Sequence, residues 1–139
     1  MDGSRSLTGR RAARCRAGGH REETDMADCL FCRIVAGALP SSPVYRDERL
    51  YAFADINPQA PLHVLVVPKL HIATLNDLGN GDDGLIGEMV RRAAAIAQER
   101  GYGEGGYRTV FNCNADAGQS VFHVHLHLLA GRRLGWPPG

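Results

Sequence analysis

The chain has 139 residues, 44% of them hydrophobic, with 16 Lys and Arg against 15 Asp and Glu for a formal net charge of +1. That length buries one core and leaves no room for two full domains, and the balanced charge gives no general basic field of the kind that attracts nucleic acid or a membrane surface. No apolar run approaches the roughly 18 residues of a membrane span, and the N-terminus lacks the apolar core of a signal peptide, so a soluble, cytoplasmic protein is expected.

Residues 1–25 are rich in Arg, Gly, Ser and acids and carry almost no hydrophobic periodicity, which predicts a disordered leader. A second methionine, Met26, stands where the foldable pattern begins, so translation starting there is the other reading of this segment. A basic arm that binds an anion is a third, weakened because Glu22, Glu23 and Asp25 dilute its arginines. The domain itself is expected over residues 26–139.

CLFCRIVAG places Leu30, Phe31, Ile34 and Val35 at helical spacing before Gly37 and Pro40, which predicts a short helix. PVYRD and RLYAFADI read as two strands of a hairpin turning at Asp47 and Glu48, and NPQAP breaks the pattern. HVLVVPK, residues 63–69, is β-branched and short, a buried strand that Pro68 closes. A loop and one turn of helix follow. The main helix is expected in DDGLIGEMVRRAAAIAQERGYG, where Leu85, Ile86, Met89, Val90, Ala93, Ile96 and Ala97 repeat near 3.6 residues, with Asp82 and Asp83 at its start and Gly101 past its end. YRTVFNC and SVFHVHLHLLA add two strands around the loop NADAGQ. The order of elements predicts an α+β fold with an antiparallel meander of about five strands, one main helix and a short N-terminal helix.

The last strand carries the chemistry. Side chains alternate across a sheet, so His123, His125 and His127 share one face, while Val124, Leu126 and Leu128 point to the face that a helix covers. Solvent-facing filler is a poor account of three imidazoles in register, which leaves a metal site or a phosphate-handling site. AGQS immediately upstream favours phosphate, since it supplies small backbone groups and a hydroxyl donor. A neutral imidazole can attack phosphorus while a protonated neighbour and hydroxyl donors stabilise the charge, giving a phosphorylated histidine. Asp55, between apolar neighbours in AFADI, suits a ribose diol.

HVHLHLLAG after AGQS, together with DINPQAPLHVLVVPKLHI, resembles the histidine-triad nucleotide-binding superfamily, and GRRLGWPPG resembles its Hint branch. The resemblance spans residues 29–139. It implies a homodimer with a continuous sheet, purine nucleotide binding, and hydrolysis of nucleoside phosphoramidates or related nucleotidyl conjugates. By that resemblance His125 is the nucleophile, His123 orients it through a hydrogen bond, and His127 contacts the phosphate. Ser120 would donate to the phosphate or the leaving amine, with Gln119 and Asn112 at the phosphate end and Asp55 on the ribose. Phe31, Ile34, Phe53, Ile56 and Leu65 would form the base cleft; on residue type alone, the aliphatic and aromatic members other than Phe31 also read as core. Trp136 would lie near the partner's active site and influence the leaving group.

Cys29 and Cys32 depart from many Hint proteins and resemble a zinc-carrying bacterial subset. Two thiolates spaced as Cys-x-x-Cys can chelate zinc, and His71 and His123 are the positions that would complete a tetrahedral, structural site with no role in the chemistry. Ordinary packing of two small residues is the alternative. Among functions, a dinucleoside polyphosphate hydrolase is the nearest rival, disfavoured by the C-terminal tail. A nucleotidyltransferase is disfavoured by His127, which that branch replaces with glutamine. A non-catalytic nucleotide sensor or scaffold stands outside the enzyme class, and a catalytic metal held by the HxHxH row is disfavoured because no carboxylate flanks the row within the strand.

Overall fold

A computed structural model describes residues 26–139; the expected leader lies outside the described residues. In chain order the elements are α1 (Leu30–Val35), β1 (Pro43–Arg46), β2 (Leu50–Ala54), β3 (Leu62–Pro68), two 3-10 turns (Leu75–Asp77 and Asn80–Asp82), α2 (Asp83–Glu99), β4 (Tyr107–Phe111), α3 (Asn114–Ala117) and β5 (Leu126–Ala130). One five-stranded antiparallel sheet has the order β1-β2-β3-β5-β4. The expected simple meander fails at one place: after α2 crosses the sheet, β4 takes the edge and β5 returns between β3 and β4.

The two faces of β3 and β5 divide the hydrophobic residues into two cores. Leu62, Val64, Val66, Leu126, Leu128 and Ala130 face α2, whose Leu85, Met89, Ala93, Ile96 and Ala97 complete the larger core. Val90, expected in the helix stripe, is 44% exposed at its margin. On the opposite face Tyr51, Phe53, Leu65 and Val67 pack against Phe31 and Ile34 of α1, forming a second, smaller core. The sheet is therefore covered on both faces around β3, and every residue of that strand is buried.

Two glycines carry the turns that end the helices. Gly37 and Gly101 adopt φ of +84° and +90°, a conformation that costs residues with a Cβ. The expected one-turn helix after Lys69 is two 3-10 turns, and the loop NADAGQ contains the four-residue α3.

The largest difference from the sequence expectation concerns the histidine strand. β5 begins only at Leu126, whose partner Phe111 is the last residue of β4; on its other side β3 continues two residues past the partner Val66 to Pro68. Upstream of that point the chain leaves the ladder and is held individually, with the Val124 amide donating to the Ile72 carbonyl at 2.7 Å. Only His127 lies within the strand. The alternation nevertheless continues through the bend, since Val124 joins Leu126 and Leu128 in the core beneath α2.

Candidate active site

His125 sits where the chain leaves the sheet, 7% exposed, and its Nδ1 lies 2.7 Å from the His123 carbonyl oxygen. A carbonyl only accepts, so Nδ1 carries the hydrogen and Nε2 is left with its lone pair. The expected orienting hydrogen bond from His123 is thus made by its main chain, and its ring is free for other work. Burial lowers the pKa of His125 below the ordinary imidazole value, against the opposing pull of the His123 carbonyl, so the ring is neutral near neutral pH and its free nitrogen has the lone pair that a nucleophile needs. The edge of Phe31 packs on this ring at 5.0 Å between centroids.

His127 is the next imidazole on the same face, its ring centroid 5.0 Å from that of His125. Its Nδ1 is 2.9 Å from Nε2 of His63, a residue that the sequence reading had treated only as part of a buried strand. The tautomers of this pair follow from one main-chain group. The Gln59 amide donates to His63 Nδ1 at 3.0 Å, so neutral His63 carries its hydrogen on Nε2. That hydrogen lies between His127 Nδ1 and the Asp55 carboxylate, 3.3 Å away, with His127 the closer acceptor. His127 then accepts at Nδ1 and presents Nε2–H as a donor. Burial, reinforced by His125 and His63, pushes the His127 pKa down to about 4. An imidazolium at His127 in this buried cluster is too costly, so the protonated neighbour suggested by the sequence is not this ring in the resting protein, and His127 donates as a neutral ring.

Asp55 does not belong to the histidine segment, yet it lies beside His63 and His127, with their ligating atoms within 4.8 Å of one another. A carboxylate thus approaches the row from the end of β2, which the sequence alone had not shown. Because both nitrogens of His63 are engaged in the hydrogen-bonded chain, these three groups read as a relay and not as a metal cage. The Asn57 amide donates to the other Asp55 oxygen at 2.8 Å and fixes the carboxylate at the mouth of the loop.

The remaining expected residues are distributed unequally. Phe31, Ile34, Phe53 and Leu65 come together in the second core, between 4% and 9% exposed, whereas Ile56 stands 97% exposed on the loop after β2. Ser120 is exposed and Gln119 buried at the end of the loop that enters the histidine segment, and Asn112 is half-buried just after β4. Trp136 is 80% exposed, with the Arg108 guanidinium 5.9 Å from its ring and donating to the Gly135 carbonyl at 2.8 Å.

Cys29, Cys32, His71 and His123 converge behind the nucleophile. Nδ1 of His123 is 3.4 Å from the Sγ of Cys29 and 3.4 Å from that of Cys32, His71 Nδ1 is 3.2 Å from Cys32 Sγ, and the two Nδ1 atoms are 3.3 Å apart. Zinc bonds of about 2.3 Å to sulfur and about 2.0–2.1 Å to nitrogen give tetrahedral edges of about 3.3–3.8 Å, so the four donors are spaced to hold one ion. The His123 Nε2–H donates to the Pro68 carbonyl at 2.8 Å, which turns the Nδ1 lone pair toward the thiols. Cys32 lowers the Cys29 thiol far below its ordinary range, with His123 and His71 adding to it against burial. Cys29 also caps α1, accepting from the Cys32 amide at 3.3 Å. The donor set fits a structural metal.

Residues 28–134 match the family described as scavenger mRNA decapping enzyme C-terminal binding. The purine nucleoside phosphoramidase of Escherichia coli K12 is 44% identical over 108 residues, covering 78% of this chain and 91% of that protein. A HIT family hydrolase from Legionella pneumophila superposes with a TM-score of 0.79 at 51% identity, covering 81% of this chain and all of that one. A histidine triad protein from Clostridium difficile gives 0.76 at 44% identity, over 78% of this chain and 94% of that one. With three histidines brought to one face beside a carboxylate, and relatives of this similarity over nearly their whole length, the chain belongs to the histidine triad superfamily.

Proposed function

We propose that this histidine-triad hydrolase cleaves purine nucleoside 5′-phosphoramidates, or related nucleotidyl conjugates, through a covalent nucleotidyl-histidine intermediate. The observation that carries the reading is the His125 ring: neutral, hydrogen-bonded at Nδ1 by the His123 carbonyl, and free at Nε2. The name of the E. coli relative, a purine nucleoside phosphoramidase, supplies the substrate class.

In the first half-reaction Nε2 of His125 forms a bond to the α-phosphorus and the P–N bond breaks, its electron pair going to the nitrogen, which takes up one proton from solvent and leaves as the neutral amine. The Ser120 hydroxyl and the Nε2–H of His127 donate to the phosphoryl oxygens and the leaving nitrogen as charge develops. In the second, water attacks phosphorus and gives up one proton to solvent, the His125–P bond breaks with its electron pair returning to Nε2, and the nucleoside monophosphate departs. Asp55 takes the ribose hydroxyls, Asn112 stands at the phosphate end, and the base lies against Phe31, Ile34, Phe53, Ile56 and Leu65. The main-chain carbonyl of His123 keeps the nucleophile in the productive tautomer throughout.

Cys29, Cys32, His71 and His123 would hold a structural zinc. When bound, it clamps the helix α1 to the segment before β5 and supplies no open position for water. A second copy of the chain pairing along the edge strand β4 would continue the sheet into a homodimer and bring Trp136 toward the partner's site. The exposed Trp136 and the alternating exposure of β4 support that pairing.

Single-turnover incubation with adenosine 5′-phosphoramidate followed by intact-mass analysis tests the chemistry. The native protein is expected to gain an acid-labile AMP adduct, and His125→Ala to form none while turnover falls by about a thousandfold or more. A folded His125→Ala protein that still forms the adduct would refute the assignment. For the metal, elemental analysis of the purified protein should find zinc equimolar with the chain and its loss in Cys29→Ser; equal zinc in both proteins would contradict the site. The depressed His127 pKa also makes a stability statement. Folded His127 resists protonation relative to the unfolded value of 6.5, so its contribution is complete above that pH and is lost as pH falls toward about 4. Urea unfolding across that interval should show a shallower acid loss for His127→Gln than for the parent, and a steeper one would contradict the burial argument.

A further inference from the structure

Gln119 precedes Ser120 and is 6% exposed. Its side-chain oxygen accepts from the Asn114 amide at 2.8 Å, and its Nε2 donates to the Ala73 carbonyl at 2.9 Å and to the Val121 carbonyl at 3.1 Å. A glutamine amide has two N–H donors, and both are spent on main-chain oxygens. Nothing on this side chain is left to donate to a phosphate.

The three bonds connect pieces of chain that matter to the site. Ala73 lies two residues past His71, and Val121 two residues before His123. Asn114 begins α3 with φ of +66°, the one positive φ at a non-glycine residue among the described residues. Its amide is held by the Gln119 side chain while its carbonyl accepts from the Gln119 amide at 3.1 Å, so the two residues close the loop in a ring. A left-handed asparagine costs about 1 kcal/mol or more and persists where the surroundings fix it. Ser120 is the residue that emerges from this brace, with its side chain exposed.

We infer that Gln119 is a positioning residue for the hydrolysis: it fixes the entry and exit of the loop of residues 114–121 so that the Ser120 hydroxyl is aimed at the transferring phosphoryl group. The inference rests on the role given to Ser120 under the proposed reaction. It makes Gln119 act on turnover through Ser120, and it gives Gln119 no direct part in holding the nucleotide.

The test is a double-mutant cycle on the full chain with Gln119→Met, which keeps the volume and removes the polar atoms, and Ser120→Ala. Gln119→Glu, which keeps an acceptor for Asn114 and loses both donors, is carried alongside in case the methionine protein fails to fold. Either Gln119 variant is expected to lower kcat by about ten- to a hundredfold, the scale of a misplaced catalytic group, while leaving AMP affinity by calorimetry unchanged. In the Ser120→Ala background the same substitution should cost almost nothing further. Additive losses in kcat, or a loss of AMP affinity that persists in Ser120→Ala, would overturn the inference and make Gln119 an independent phosphate contact. Wild-type turnover by Ser120→Ala alone would instead refute the role of Ser120, a separate failure that the single variant reveals by itself.

Discussion

The site depends on His123, which holds two structures together with two different parts of one residue. Its ring is fully buried, with Nε2 on the Pro68 carbonyl and Nδ1 facing Cys29, Cys32 and His71; its carbonyl, on the other side of the main chain, accepts the Nδ1–H of His125. A shift of the ring therefore moves the acceptor that sets the tautomer of the nucleophile. The four-residue group that could hold a metal and the His125 ring are linked through this one residue. Its ring needs a polar environment inside an otherwise apolar core, and the Pro68 carbonyl that serves it is available because β3 ends there.

A second chain of hydrogen bonds does for His127 what His123 does for His125. It starts at the Gln59 amide, passes through both nitrogens of His63, and ends at His127 Nδ1. Each bond fixes the tautomer of the next ring, so a rigid main-chain group in the loop before β3 determines which nitrogen of His127 bears the hydrogen. The C-terminal segment reinforces that loop: Arg132 donates to the Gln59 carbonyl at 3.0 Å, and the Gly131 backbone lies so close to Pro61 that a Cβ would come within 2.7 Å of it. The two neutral imidazoles thus offer different atoms, one a lone pair and the other a donor, which suits the proposed transfer of a phosphoryl group between nitrogen and oxygen.

Much of this was legible in the sequence. The 3.6-residue repeat located α2, the β-branched run located β3, and period-two alternation assigned the three histidines to the face away from α2. The spacing of Cys29 and Cys32 identified half of the four-residue group that could hold a metal ion. What escaped was set by tertiary contacts. His63 occupies the same face as Leu65 and Val67, so the alternation rule applied to β3 would have placed it beside the row; its apolar neighbours hid it. The start of β5 coincides with the end of β4, which no local pattern in HVHLHLLA encodes. Burial of His127, which makes it a neutral donor, follows from tertiary packing, and the engagement of Gln119 with three main-chain groups was invisible in a motif that places it beside a phosphate.

The central claim is that main-chain groups hold His125 and His127 in opposite tautomers before substrate arrives. Long-range proton–nitrogen correlation NMR on uniformly nitrogen-15-labelled protein near neutral pH reads this directly. The account predicts His125 neutral with its hydrogen on Nδ1, and His63 and His127 neutral with theirs on Nε2. A His125 that is doubly protonated, or that carries its single hydrogen on Nε2, would contradict it, because the nitrogen facing the phosphorus would then have no lone pair to give.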